Sequence, residues 1–416
     1  CIVLSMMGSF LFHADLLSQG GPATSAPAIK TFALQGDISG AASNSVNLFT
    51  GDVALPLNLV TLPGNNGLDA TINILYNSNV RHIVDRWNLE SPAGILGLGW
   101  SMEVPKIVCD NKQTGARDDD EYYLVEGSAS NLLVRTTSGS DGDGAFYKYE
   151  TKNLQFWVVK FYYSESVNKW VIIKEDGTKY IYGDKNSNRS TIQWIVRWGN
   201  WIGNSSQITG QSRQAVAWNL SQIINVWNEH VTFEYENVEQ FVGSSGGQKH
   251  TEASYLKSVT DVWGRKISFV YKDKQSPYYM EPHTEKAEPD AYQEVYERKY
   301  LDKIEVLPNG VNRLITIQFG YNIINSGANT AKMLLTSIVQ KNAAGNGLPG
   351  MQFSYHQGGA VKGMLNTVTY PSEGTIAYTY TEKEIGHSAR QFLASAPSGY
   401  AEPKVWHAED YVVVTW

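Results

Sequence analysis

A short unit recurs four times in the second half of the chain: a strand opened by leucine, a polar turn containing Gly or Pro, and an alternating strand that closes on aromatic-x-Tyr. The copies run from Leu256 to Tyr271, Leu301 to Tyr321, Leu335 to Tyr355 and Leu365 to Tyr380. A transitional copy containing Trp218, Leu220 and Phe233-Glu234-Tyr235 precedes them. A unit of this size is a single hairpin, too small to bury its own apolar face, so copies must stack and share a core. This predicts an all-β chain in which successive antiparallel hairpins stack into a curved or spiralling wall. Function is then sought in a surface or an enclosure.

Composition fits that wall. The 416 residues are 42% hydrophobic and 12% aromatic but only 18% charged, so the chain can bury a large core and is too apolar for disorder. Its 24 Tyr and 37 Gly suit strands and turns better than helices. A net charge of -7 without a Lys/Arg stripe argues against nucleic acid as a partner. The apolar opening from Cys1 to Ala14 is too short for a transmembrane span and is read as an export signal, with residues 1–29 forming that segment and a linker. Acylation of Cys1, or an ordinary packed first element, are the alternatives. With Cys1 and Cys109 as its two cysteines, the chain has no disulfide framework, and a secreted or bacterial cell-surface location is expected.

Strand signals fill the rest. Val53, Leu55, Leu57 and Leu59 alternate up to a Pro63-Gly64-Asn65-Asn66-Gly67 turn, and Leu68, Ala70, Ile72, Ile74 and Tyr76 alternate back, which is a hairpin with one buried face. Trp170 to Ile173 and Tyr180 to Tyr182 flank an Asp176-Gly177 turn, a strong hairpin signal. The reading divides the chain into an amino-terminal β region, 30–214, and hairpin repeats, 215–416. An inserted surface loop at about 272–298 contains Pro277, Pro282 and Pro289 and a helical turn near Tyr292 to Tyr296.

Taken in order, these residues resemble a known arrangement. Thr50-Gly51-Asp52 through Tyr76-Asn77-Ser78, Gly97-Leu98-Gly99-Trp100-Ser101, Val104 to Ile107 and the acidic Asp118 to Gly127 segment are similar to the amino-terminal region of SpvB and of insecticidal toxin-complex B components. The later copies resemble Rhs/YD repeats. Asp261, Gly264 and Arg265 keep an Asp-x-x-Gly-Arg kernel closing on Tyr271, and Pro371 and Gly374 belong to a Tyr-Pro-x-x-Gly turn, closing on Tyr380, of the Bacteroidota type. The resemblance implies a shell wall that encloses or presents a toxin-like effector, the partner being the remainder of a longer polypeptide. It also implies export, with an outer-membrane secretion translocon as a further partner. The Tyr-Asp dipeptide is replaced at most kernels, and the family's distal aspartate pair has no counterpart here.

Chemistry-bearing patterns are sparse. The eight histidines show no zinc spacing, no Gly-x-Ser-x-Gly elbow occurs, and no cofactor or metal is expected; the Asp118 to Glu121 run lacks the alternation and central Gly of a calcium loop. Cys109 reads as a small buried hydrophobe. Glu234, Glu236 and Asp261 are the carboxylates on which a glycosidase reading would rest. Trp100, Trp170, Trp218 and Trp263 read as interior. In the cluster Trp194, Trp198 and Trp201, the last two lie among Gly199, Gly203 and Asn204 and are candidates for stacking sugar rings or gripping a partner. A non-catalytic shell segment is the leading expectation, a glycan- or cell-binding adhesin the second and a glycoside hydrolase the third.

Overall fold

The computed structural model describes residues 30–31, 52–86, 91–112, 119–127, 129–185, 187–197, 212–242, 248–274, 293, 295–326, 330–384 and 412–415. Among them the chain is almost entirely antiparallel strand, as the hairpin repeats require. A first sheet orders β1 (Lys30–Thr31), β2 (Ala54–Leu62), β3 (Ala70–Asn77) and β4 (Trp100–Met102) as β1-β2-β3-β4. Alternation in β3 buries Ala70, Ile72, Ile74 and Tyr76 on one face. In β2 a register shift between Asn58 and Val60 lets the consecutive Leu59 and Val60 both turn inward.

A barrel follows. The strands are β5 (Lys106–Asp110), β6 (Glu121–Glu126), β7 (Ala129–Asp141), β8 (Gly144–Thr151), β9 (Val158–Tyr162), β10 (Lys169–Ile173), β11 (Lys179–Gly183), β12 (Ile192–Arg197) and β13 (Ser212–Ile224). Each of β5 to β11 ladders to the next. Both ends of that run, β5 and β11, ladder to β13, so the sheet closes on itself and leaves no edge here. The inward positions line up around the ring as Tyr147, Phe161, Trp170, Tyr182 and Leu220. Tyr122, Tyr149, Phe161, Trp170 and Trp218 then fill the interior, with the Phe161 and Trp170 rings stacked at 4.4 Å. The barrel is a packed core rather than a vessel.

β13 also opens the repeats. The wall runs through β14 (His230–Phe241), β15 (Lys249–Thr260), β16 (Lys266–Asp273), β17 (Lys299–Leu307), β18 (Ile315–Ile324), β19 (Lys332–Asn342), β20 (Met351–Tyr355), β21 (Leu365–Thr369) and β22 (Thr375–Ala377) as a meander. A separate pair, β23 (Thr381–Glu384) and β24 (Val412–Thr415), ends the described residues. Of the inserted loop, residues 293 and 295–298 carry no helix, contrary to the helical turn expected near Tyr292 to Tyr296. The Gln293 side-chain amide exchanges two hydrogen bonds of 2.7 Å with the backbone of Val196, which ties this residue to β12.

The first sheet packs its apolar face against the wall. Trp100 meets Tyr76 at 5.2 Å and Phe353 at 5.0 Å between ring centroids. The Gly97-Leu98-Gly99-Trp100 motif makes this possible: Gly97 has φ +90°, and a Cβ there would lie 2.9 Å from the Met333 carbonyl oxygen, to which Leu98 N–H donates at 2.7 Å.

Candidate functional site

The wall of hairpins has a repeated internal fastening. The hydroxyl of the closing tyrosine donates to the carbonyl of the leucine that opens the same repeat: Tyr235 to Leu220 at 2.9 Å, Tyr271 to Leu256 at 2.8 Å, Tyr321 to Leu301 at 2.6 Å, Tyr355 to Leu335 at 2.6 Å and Tyr380 to Leu365 at 2.9 Å. At the first four of these tyrosines the ladder to the next strand changes register immediately before the tyrosine. There the tyrosine backbone pairs with the leucine of the following repeat while its hydroxyl reaches back to the leucine of its own. A bulge leaves ladder groups unpaired, and the phenol supplies the missing donor, a contribution of about 1 kcal/mol each. Burial holds these tyrosines neutral, with pKa values pushed well above the ordinary phenol range. Tyr355 is doubly engaged, since Trp100 Nε1 donates to its oxygen at 2.8 Å.

The turns are equally regular. In the kernel, the Asp261 carboxylate accepts from the N–H groups of Trp263 and Arg265 at 3.0 and 2.8 Å, and Gly264 takes φ +74°. Asn225 and Asn342 hold the same position in their hairpins, followed three residues later by Asn228 at φ +63° and Gly345 at φ +88°. This is a three-residue hairpin loop, a type I turn followed by a left-handed residue, with an Asx side chain capping it. Arg265 adds a long-range tie. Its Nε donates to Asp261 at 2.6 Å and its terminal nitrogen to the Pro63 carbonyl at 2.5 Å, joining the wall to the β2–β3 turn. Both partners are buried, and leaving either charge alone there costs about 3–5 kcal/mol. In the last turn Pro371 presets the turn geometry, but the left-handed position belongs to Glu373 at φ +67° rather than to Gly374.

Other sequence candidates fall as follows. Trp198 and Trp201 lie outside the described residues. Trp100, Trp170 and Trp218 are buried, Trp263 half-buried in its turn, and Cys109 packs half-buried against the core. Glu234 accepts from Ser258 at 2.8 Å, which holds its carboxyl below the ordinary range, and lies 3.6 Å from Lys266; Glu236 pairs with Lys299 at 2.8 Å. Among the described residues no three or more His, Cys, Asp or Glu side chains gather closely enough to hold a metal ion, and no helix is long and apolar enough to cross a membrane.

Two features went unnoticed in the sequence. Beneath the 91–100 segment, Lys274 donates to the Glu297 carbonyl at 2.7 Å and Lys332 to the Ser91 carbonyl at 2.6 Å; burial lowers both ammonium pKa values to about 8 and raises that of the Glu297 carboxyl. A cleft of about 490 Å³ opens beside β12, lined by Asp184, Lys185, Ser187 and Ser190 to Ile192 together with residues of β14 and β15, with Trp194 in its wall.

No family model matches the chain. The solved TcdB2-TccC3 complex is 16% identical, superposes with a TM-score of 0.50, and matches over 81% of this chain and 17% of that one. The fold is thus shared with part of a toxin complex. The N-terminal domain of the effector protein SpvB from Salmonella typhimurium strain LT2 is 13% identical over 69% of this chain and 99% of that domain, with a TM-score of 0.44. Among curated proteins, salivary gland surface protein 1 of Aedes aegypti is 23% identical over 352 residues. That match takes in 82% of this chain but spans 9% of the relative's length.

Proposed function

We propose that the chain is a non-catalytic wall segment of a larger secreted or cell-surface shell, which encloses or presents an effector carried elsewhere in its polypeptide. The observation that carries this is the fastening repeated at five successive hairpins. A unit that returns to its own leucine and ladders to the next leucine can be extended without new design, which is what building a long wall requires. The architecture held in common with TcdB2-TccC3 supports the same reading. The barrel is packed solid, so on this reading the enclosure is formed by wall beyond the part described. Export, and contact with a secretion translocon, belong to this reading.

Peptide mapping of the protein isolated from its source tests it. Peptides continuing the Leu to aromatic-x-Tyr units well past residue 416, in a particle that protects a protease-sensitive domain, are expected. A mature protein no larger than this chain would overturn it.

One observation favours a second reading, a surface adhesin: the similarity to a protein named for the salivary gland surface. Cell-surface labelling with retention on host cells would favour it over the shell.

A further inference from the structure

The cleft beside β12 is set apart by its charge. Asp184 and Glu239 line it, and each has an arginine: Arg189 lies 3.7 Å from Asp184, and Arg213 pairs with Glu239. Lys185 and Lys249 line it too, with no carboxylate in ion-pair range among the described residues; Lys185 sits 5.8 Å from the Trp194 ring centroid and Lys249 4.7 Å from that of Phe241. The lining itself holds two lysines and two carboxylates; because Arg189 and Arg213 lie against the carboxylates, Lys185 and Lys249 are the cations left without an ion-pair partner among the described residues. A local excess of cations in a concave site attracts an anion.

The remaining lining is rich in hydroxyl and amide groups. Ser187, Ser190 and Thr191 bring hydroxyls; the Thr191 oxygen is buried without a hydrogen-bond partner among the described residues. Asn237 donates from Nδ2 to the Ile192 carbonyl at 2.8 Å, while its buried Oδ1 has no donor among them. Buried polar atoms are normally satisfied, so two orphans lining one cleft point to a ligand that brings hydrogen bonds with it. A ligand bearing several hydroxyls meets that need, since each donates to an amide or carboxylate oxygen and accepts from a hydroxyl or ammonium. The cleft volume falls within the range of small-ligand sites. Arg213 lies 4.8 Å from the Trp194 ring centroid, so this tryptophan serves as a wall braced by cations rather than as an open stacking platform.

We infer that this cleft binds an acidic saccharide, a hydroxyl-rich ring carrying a carboxylate or sulfate that Lys185 and Lys249 neutralise while Thr191 and Asn237 read its hydroxyls. The inference rests on the cleft alone and stands apart from the wall reading.

The test is a glycan array pairing each uronic-acid-containing or sulfated oligosaccharide with its neutral counterpart, probed with the labelled chain, and titrations of the strongest binder. Retention of acidic members over neutral ones is expected. Lys185→Gln with Lys249→Gln should weaken binding at least about tenfold, Lys185→Arg with Lys249→Arg should keep it, and Thr191→Val should weaken it with the charge intact, all at unchanged thermal midpoints. Equal retention of acidic and neutral members, or full binding by the double Gln variant, overturns the inference. Inorganic sulfate displacing the sugar at equal molar concentration overturns its saccharide part and leaves a simple anion site.

Discussion

In the barrel aromatic rings meet one another; in the wall each closing tyrosine meets a carbonyl. Trp170 touches Tyr122, Tyr149, Phe161 and Trp218, yet its indole N–H and the Tyr182 hydroxyl are buried without partners among the described residues. Tyr321 packs partly buried against the core, and its hydroxyl reaches Leu301 at 2.6 Å. The barrel is closed by its ladder, so its residues need only fill volume. The wall is a meander with a bulge in each of four successive repeats, and its tyrosines must also satisfy what the bulges leave open.

The barrel is therefore most vulnerable to lost volume. Trp170→Ala removes a wholly buried indole from the centre of five rings and should cost about 3–5 kcal/mol, measured by urea unfolding. A loss under about 1 kcal/mol would mean that the ring packing is not what holds the barrel. The wall is most vulnerable to a single oxygen. Tyr321→Phe keeps the volume and strands the Leu301 carbonyl, for an expected loss of about 1–3 kcal/mol; Tyr355→Phe should lose more, because Trp100 Nε1 is stranded with Leu335.

How much of this could be seen in the residues alone follows the same division. Both ends of each fastening were legible, since Leu and aromatic-x-Tyr recur at regular positions, but the bond between them was not. It depends on a bulge, and register is decided by the turn and the neighbouring strand rather than by any one residue's type. Asp261 to Arg265 was legible as a turn; its tie to Pro63, two hundred residues away in sequence, was not. Gly374 drew attention as the glycine of a Tyr-Pro-x-x-Gly turn, yet the left-handed backbone falls on Glu373, the tight Tyr370 to Gly374 closure outweighing residue preference. The cleft was hidden because three separate segments build it, although Trp194 had been singled out beside Trp198 and Trp201.

A smaller effect separates the regions by pH. Lys274 and Lys332 belong to the wall, and their buried ammonium groups have pKa values near 8 against 10.5 when exposed. Between about pH 8 and 9 the unfolded chain therefore binds more protons than the folded one, and stability rises with pH; towards about pH 10 the many unfolded tyrosines ionise while the buried ones resist, and it falls again. Lys274→Met and Lys332→Met should each flatten the rise by at most about one proton, read from urea midpoints at pH 8 and 9. A rise that survives both changes would place its source elsewhere.

The smallest effect is the most discriminating. Tyr182→Phe deletes a hydroxyl that is fully buried in the barrel and has no partner among the described residues, so nothing is stranded and a desolvation cost disappears. The expected change is within about 0.5 kcal/mol of zero or stabilising, although the substitution is chemically identical to Tyr321→Phe. Tyr182 is fully buried and Tyr321 partly buried, both lie in antiparallel strands, and the carbonyl that the Tyr321 hydroxyl reaches is what distinguishes them. Tyr182 does sit beside a register shift, between Ile181 and itself, which makes the pair a strict comparison: the irregularity is common to both, and the hydroxyl's partner is not. A loss at Tyr182 as large as at Tyr321 would show that the wall's fastening is not the source of the tyrosine effect, and would take with it the argument that these bonds mark a unit made for extension.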